Sequence, residues 1–163
     1  MVYVFIVISI VLLDTMIKNY MEKKRKIGEQ EEILNGKIIL HKHYNYGMIL
    51  NFMDDKKEMV KTISCALLGL ILLLFALLLP KKGNKLLKLG LSFVIGGAIS
   101  NVSDRIFKGY VVDYFSFNCK KFTKLKNIIF NLSDLFIFLG STLIALYGFF
   151  SNKEKRNIIE IIK

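Results

Sequence analysis

Four long runs of apolar residues alternate with charged or polar segments along this chain of 163 residues. Each run is long enough to cross a hydrocarbon layer about 30 Å thick, which takes about 20 residues of helix. The runs lack the polar stripe of a helix on the surface of a soluble bundle, so a soluble fold is disfavoured. The pattern predicts an all-α membrane protein with four transmembrane helices, at about residues 1–20, 60–80, 86–106 and 129–151.

The segments between the predicted helices are of two kinds. Residues 33–53 contain an Asn-Gly pair, alternating positions and Tyr-Asn-Tyr-Gly, which predicts short strands and turns. Residues 107–127 are rich in lysine and aromatic residues and are predicted to form a loop. The chain, residues 1–163, is therefore predicted to be a single domain. A patch of small residues at 96–100 would let a neighbouring helix approach the third one closely.

The first apolar run is predicted to be a retained helix and not a cleaved signal peptide. No basic residue precedes this run, and no small-residue cleavage site follows it. Four spans place both termini on the same side of the membrane. Charge leaves that side open, because residues 23–26 and 107–127 are basic, as are residues 80–88 and 153–163.

The net charge of +11 is interpreted through the position of the lysines. In a soluble protein such a charge would indicate nucleic-acid binding. Here the lysines lie at the ends of apolar runs, where they reach lipid headgroups, so membrane lipid and no nucleic acid is the expected partner. Cys65 lies in an apolar run and Cys119 in a polar loop, so no disulfide between them is expected. His41 and His43 lack further ligands at metal-binding spacing and are interpreted as a solvated strand face.

Four ionisable residues lie within the predicted helices, and such residues are functional candidates because they are costly in a membrane. They are Asp14, Lys18, Asp104 and Asp134. Asp14 and Lys18 are four residues apart, so they share a helix face and are expected to form a structural ion pair.

Asp104 and Asp134 form the candidate chemical centre. The third and fourth helices run antiparallel, so the end of one and the beginning of the other lie at the same membrane face. Asn101 and Asn131 each lie three residues before one of these aspartates, on the same helix face. Two close carboxylates share a proton, so one can activate water while the other polarises a carbonyl. The alternative for Asp134 is a helix cap.

Four short motifs in this order resemble those of the signal peptidase II family, which comprises membrane aspartyl peptidases. The first two are Asp14-Thr-Met-Ile-Lys18 and Tyr44-Asn45-Tyr46-Gly47. The third contains Asn101-Val-Ser-Asp104-Arg105 and continues to Gly109-Tyr-Val-Val-Asp113. The fourth is Phe130-Asn131-Leu-Ser-Asp134. Together they cover most of the chain.

The resemblance implies a role for each motif residue. The implied catalytic pair is Asp104 and Asp134. Residues that would bind substrate or order the site are Asn45, Asn101, Arg105 and Asn131. Residues that would support the architecture are Asp14, Lys18, Gly47, Gly109 and Asp113, so Asp113 is structural and lies outside the pair.

The resemblance also implies a location and a substrate. It places the chain in the bacterial cell membrane as a monomer, with cytoplasmic termini and an active site near the outer face. Residues 22–58 and 107–128 would be extracytoplasmic, and a small β-cradle would lie between the first and second helices. The implied substrate is a prolipoprotein, cut just before its diacylglyceryl-modified cysteine. No metal or organic cofactor is expected, and globomycin is the expected inhibitor.

The chain departs from the family pattern at three places. Ser100 replaces the usual Gly, Ser133 replaces the usual Ala, and Met48-Ile49-Leu50 replaces small residues and an aromatic. These changes leave substrate preference and inhibitor sensitivity open. Two other functions are compatible with the sequence: a small proton-coupled transporter, and a non-catalytic paralog that binds lipopeptides or a membrane partner.

Overall fold

The computed structural model of the protein describes residues 1–47, 56–118 and 128–162, with residues 152–162 described by their backbone alone. Within these ranges, four helices are long and apolar enough to span a membrane. A three-stranded antiparallel sheet accompanies them. The elements in chain order are α1 (Val2–Lys24), β1 (Glu31–Ile33), β2 (Ile38–Asn45), α2 (Lys57–Leu78), α3 (Lys85–Phe107), β3 (Val111–Phe117) and α4 (Leu132–Ile162). The predicted fold class is confirmed.

Helix α3 is the centre of the bundle. It packs against α1, α2 and α4, and its buried residues extend from Lys88 to Asp104. It is also the least apolar of the four, with a mean hydropathy of 1.5 against 2.4 for α2. Lipid solvates apolar side chains as well as a protein interior does, so the interior of the bundle takes the small and polar residues instead.

Glycines set the spacing between α3 and α4. A Cβ added to Gly97 would lie 2.5 Å from the carbonyl oxygen of Ser133, and one added to Gly140 would lie 2.5 Å from that of Gly90. Any side chain at these positions would collide with the opposite backbone. Part of the predicted small-residue patch thus serves this contact, and Gly96 in the same patch faces α1.

The sheet draws its strands from both of the longer connections, which corrects one expectation. β2 pairs with β1 on one side and with β3 on the other. The cradle was predicted between the first two helices, where β1 and β2 lie, but the segment that contains β3 was predicted to be a loop. Val111–Phe117 is in fact rich in β-branched and aromatic residues, which favour strands. Its pairing partner lies about 70 residues away in the sequence, so a local pattern could not reveal it.

Two helix ends also differ from the expectation. α1 continues to Lys24, past the predicted end near residue 20. α4 begins at Leu132 and continues to Ile162, so the charged tail after residue 151 extends the helix. Cys119 and the atypical segment 48–50 lie outside the described residues, so their predictions stay open.

Candidate active site

A cluster of buried polar side chains lies where α1, α3, α4 and β3 meet. Each of these residues is at most 7% exposed, and burying their polar groups between spanning helices is costly unless hydrogen bonds satisfy them. The cluster consists of Asp14, Lys18, Ser100, Asp104, Asp113, Asn131 and Ser133. All seven were singled out from the sequence, five as motif residues and Ser100 and Ser133 as departures from the family pattern.

Lys18 is the hub of this cluster. Its Nζ lies 2.8 Å from Asp14 Oδ2, which confirms the predicted ion pair within α1. The same ammonium also lies 3.0 Å from Asp104 Oδ2 and donates to Asn101 Oδ1 at 2.8 Å. Lys18 therefore connects α1 to the acid that was predicted to be catalytic, a contact that its sequence spacing did not indicate.

Asp14 is held by hydroxyl groups in addition to Lys18. The hydroxyls of Ser100 and Ser133 each donate to Asp14 Oδ2 at 2.6 Å. Tyr114 of β3 donates to Asp14 Oδ1 at 3.1 Å. The two serines that depart from the family pattern thus meet at one carboxylate oxygen, although they lie on different helices.

The carboxylate of Asp104 is contacted by two ammonium groups. Lys18 contacts Oδ2, and Lys108 contacts Oδ1 at 2.9 Å. The backbone N–H of Val112 also donates to Oδ2, at 3.3 Å. Opposite charges at this distance favour the ionised form of a carboxyl group.

Asp134 has neutral partners at both of its oxygens. The side-chain amide of Asn101 donates to Oδ1 at 2.9 Å, and the backbone N–H of Asn131 donates to Oδ2 at 3.0 Å. In return, Asn131 Oδ1 accepts the backbone N–H of Asp134 at 3.0 Å. This reciprocal pair caps the beginning of α4. Asp134 therefore does cap its helix, as the alternative predicted. Its other carboxylate oxygen still contacts Asn101.

Asparagine side chains join the remaining predicted residues. Asn131 Nδ2 donates to Asn101 Oδ1 at 3.2 Å and to Asp113 Oδ1 at 2.7 Å. Asn45 Nδ2 donates to Asp113 Oδ2 at 2.9 Å. Amides thus occupy both oxygens of Asp113, and its burial, followed by the negative charge of Asp134, raises its pKa above the ordinary value. These contacts agree with a supporting role for Asp113.

Arg105 and the two motif glycines position the backbone around the cluster. The guanidinium of Arg105 donates to the carbonyl oxygen of Gly47 at 2.5 Å, which ties the end of α3 to the end of β2. Asn45 Oδ1 accepts the N–H of Gly47 at 3.1 Å. Gly109 has a φ of +80°, so the turn from α3 into β3 needs a residue without a side chain.

A second group of residues at the edge of the cluster was not predicted. Lys108 Nζ also contacts Glu22 Oε2 at 2.7 Å, and Tyr110 donates to Glu22 Oε1 at 3.2 Å. Lys108 follows Asp104 by four residues, the same spacing as Asp14 and Lys18, and that spacing could have indicated the pair. Nothing local in the sequence indicated the contact with Glu22. Among the described residues, no group of three or more His, Cys, Asp and Glu is placed to hold a metal ion.

The fold and the cluster define the class of the protein. Three of the four candidate membrane helices, together with β3, enclose a hydrogen-bonded group of carboxylates, amides and ammonium groups, so this is a multi-pass membrane protein with a buried polar site. Residues 6–150 match the family of signal peptidase (SPase) II. The chain belongs to the signal peptidase II family, as the four motifs predicted.

Individual relatives and solved structures agree with this assignment. The lipoprotein signal peptidase of Clostridium tetani is 31% identical over 144 residues, which cover 88% of this chain and 90% of the relative. That of Brucella ovis is 33% identical over 155 residues, which cover 93% and 92%. A bacterial membrane enzyme solved by the in meso method at 2.3 Å resolution superposes with a TM-score of 0.76 at 25% identity, covering 93% of this chain and 91% of the other.

Proposed function

We propose that this member of the signal peptidase II family is an aspartic endopeptidase whose catalytic pair is Asp104 and Asp134. Its relatives are named lipoprotein signal peptidases, and the chain removes signal peptides from prolipoproteins. The proposed bond is the one just before the diacylglyceryl-modified cysteine. The observation that carries the proposal is the meeting of two carboxylates from antiparallel helices in one buried network, connected through Lys18 and Asn101.

The reaction needs one ionised and one protonated carboxyl group. The ionised member takes a proton from water, and the resulting hydroxide adds to the peptide carbonyl carbon while the protonated member donates its proton to the carbonyl oxygen. The tetrahedral diol then collapses. The C–N bond breaks as the carboxyl that gained the water proton passes it to the leaving nitrogen, and the other carboxyl recovers its proton from the diol. The reaction consumes one water and one peptide bond, and both carboxyl groups return to their starting protonation states.

The other predicted residues serve this pair in the proposal. Asn101 and Asn131 hold Asp134, and Asn45 reaches the same network through Asp113. Arg105 fixes the strand end that carries Asn45. These side chains also contact the substrate in our proposal. The residues that support the architecture of the site are Asp14, Lys18, Gly47, Gly109 and Asp113. The enzyme works without a metal or organic cofactor.

We place the enzyme in the bacterial cell membrane with cytoplasmic termini, as a monomer that globomycin-type inhibitors block. Asp104 lies near the end of α3 and Asp134 near the beginning of α4, so the sheet and the acids share one end of the bundle. In the proposal this end is the outer face, where a lipidated precursor enters the site from the membrane.

Cleavage of a diacylated precursor peptide by the purified protein in lipid vesicles tests the proposal. Asp104→Asn and Asp134→Asn should each lower kcat by about 10²–10⁴-fold, the range of a lost acid or base. Glu58→Gln is the matched control, because Glu58 is an exposed carboxylate at the beginning of α2 whose ion-pair partner is Lys61. Full activity in either aspartate variant would remove that residue from the pair. Binding of the precursor without cleavage by the unmodified chain would favour the non-catalytic paralog.

A further inference from the structure

The two acids of the proposed pair differ in the groups that contact their carboxylates directly. Two ammonium groups contact Asp104, one at each carboxylate oxygen. The groups that hydrogen-bond Asp134 are an amide side chain and a backbone N–H, which carry no net charge. A full positive charge stabilises a carboxylate more strongly than a neutral donor does. The charge of the pair is therefore concentrated on Asp104.

Lys108 is the more accessible of the two cations. Its backbone ends α3 and donates its N–H to the carbonyl oxygen of Asp104 at 2.8 Å. Its side chain is 25% exposed, whereas that of Lys18 is 1% exposed. Partial burial works against the charged form of Lys108, but its hydrogen bonds to Glu22 and Asp104 outweigh this and raise its pKa. Lys108 therefore brings a positive charge to Asp104.

Glu22 competes with Asp104 for the same ammonium group. The Nζ of Lys108 lies 2.7 Å from Glu22 Oε2 and 2.9 Å from Asp104 Oδ1, so one positive charge bridges two carboxylates. Tyr110 holds the other oxygen of Glu22. The negative charge of Glu22 therefore offsets part of the positive charge that Lys108 brings to Asp104.

We propose that Lys108 is a positioning residue that, together with Lys18, keeps Asp104 as the ionised member of the pair, and that Glu22 limits its effect. Asp134 is then the member that carries the proton and donates it to the substrate carbonyl. This inference rests on the proposed function, because it assigns roles within the same pair.

The direction of the pH dependence follows from these contacts. In the proposed reaction Asp104 must be ionised to accept the proton of water. Removing the positive charge of Lys108, which contacts this carboxylate, should therefore move the acidic limb of kcat/KM to higher pH. Neutralising Glu22 has the opposite effect. The charged groups that surround Asp104 in this network are Asp14, Lys18 and Glu22 of α1, Arg105 and Lys108 at the end of α3, Asp113 of β3 and Asp134 of α4.

The test compares pH profiles of kcat/KM for cleavage of the diacylated precursor peptide by the full-length protein in vesicles. Lys108→Met should move the acidic midpoint up by about one pH unit, at the lower end of the effect of a close opposite charge because Lys108 is partly exposed. Glu22→Gln should move it down, by about half a unit or less. Lys108→Arg keeps the positive charge and should therefore have the midpoint of the unmodified protein. Lys61→Met is the matched control, since Lys61 forms a comparable surface pair with Glu58.

Opposite shifts in Lys108→Met and Glu22→Gln support the proposal, because a purely structural role would lower activity without moving the midpoint in two directions. An unchanged midpoint in Lys108→Met, or shifts of the same sign in both variants, would overturn it. If Lys108→Met does not fold, Glu22→Gln decides: a midpoint moved to lower pH supports the proposal, and an unchanged or raised midpoint overturns it. Failure of the proposed function looks different: Asp104→Asn would remain active, or the unmodified protein would not cleave at all.

Discussion

Helices α2 and α3 are almost equal in length and follow each other along the chain, but they differ in composition and in burial. α2 has 22 residues, the highest mean hydropathy of the four spans and large exposed leucines. α3 has 23 residues, the lowest mean hydropathy and a mostly buried surface that carries Ser100, Asn101 and Asp104. In a membrane, the most apolar helix is therefore the lipid-facing one, and the site lies on the helix that hydropathy marks least clearly.

The strongest way to break the polar side of this comparison is Lys18→Met. Asp14 and Asp104 would then lose a shared buried counter-ion, and breaking a buried pair in this way costs about 3–5 kcal/mol. We expect a large fall in the thermal stability of the detergent-solubilised protein and loss of precursor cleavage. Asp14→Asn combined with Lys18→Met should recover part of the stability but none of the cleavage. Unchanged stability in the single variant would show that the hub is not needed for folding.

A direct comparison of the two helices comes from placing the same side chain on each. Gly97→Leu on α3 pushes against the α4 backbone at Ser133 and so moves Asp134 away from Asp104. We expect cleavage to fall about 10²-fold, because small displacements of reacting groups have effects of that size. Gly69→Leu on α2 is the control, since an added Cβ there meets no atom of the described residues within 4 Å. Equal losses in both variants would contradict the division between a lipid-facing and a site-bearing helix.

The smallest expected effect comes from the two serines at Asp14. Ser100→Gly and Ser133→Ala restore the usual family residues, and each removes one hydroxyl donor from the same oxygen. A hydrogen bond to a charged group contributes about 1.5–3 kcal/mol, so each single variant should lose an amount near the lower end of this range and keep most of its activity. Thermal unfolding of the singles and the double measures the coupling between them. Strictly additive losses would show that the two serines act independently of each other.

The sequence allowed the four spans and the shared end of Asp104 and Asp134 to be predicted, because hydropathy is local and consecutive spans alternate in direction. It could not reveal β3, because this strand pairs with β2, which is distant in the sequence. Ile38 of β2, for example, lies opposite Phe117 of β3. Lys18 was correctly paired with Asp14 from its spacing, but its contact with Asp104 depends on how α1 packs against α3. The catalytic role of the two acids stays a prediction that the cleavage assay decides.

The bridge between Phe115 and Phe130 has a consequence for how the chain tolerates change. Phe115 and Phe130 exchange backbone hydrogen bonds in both directions, directly before the residues that cap α4. The two hydrogen bonds hold the beginning of α4, and with it Asp134, in register with β3. A substitution tolerated at Phe115 or Phe130 must therefore keep the backbone N–H group.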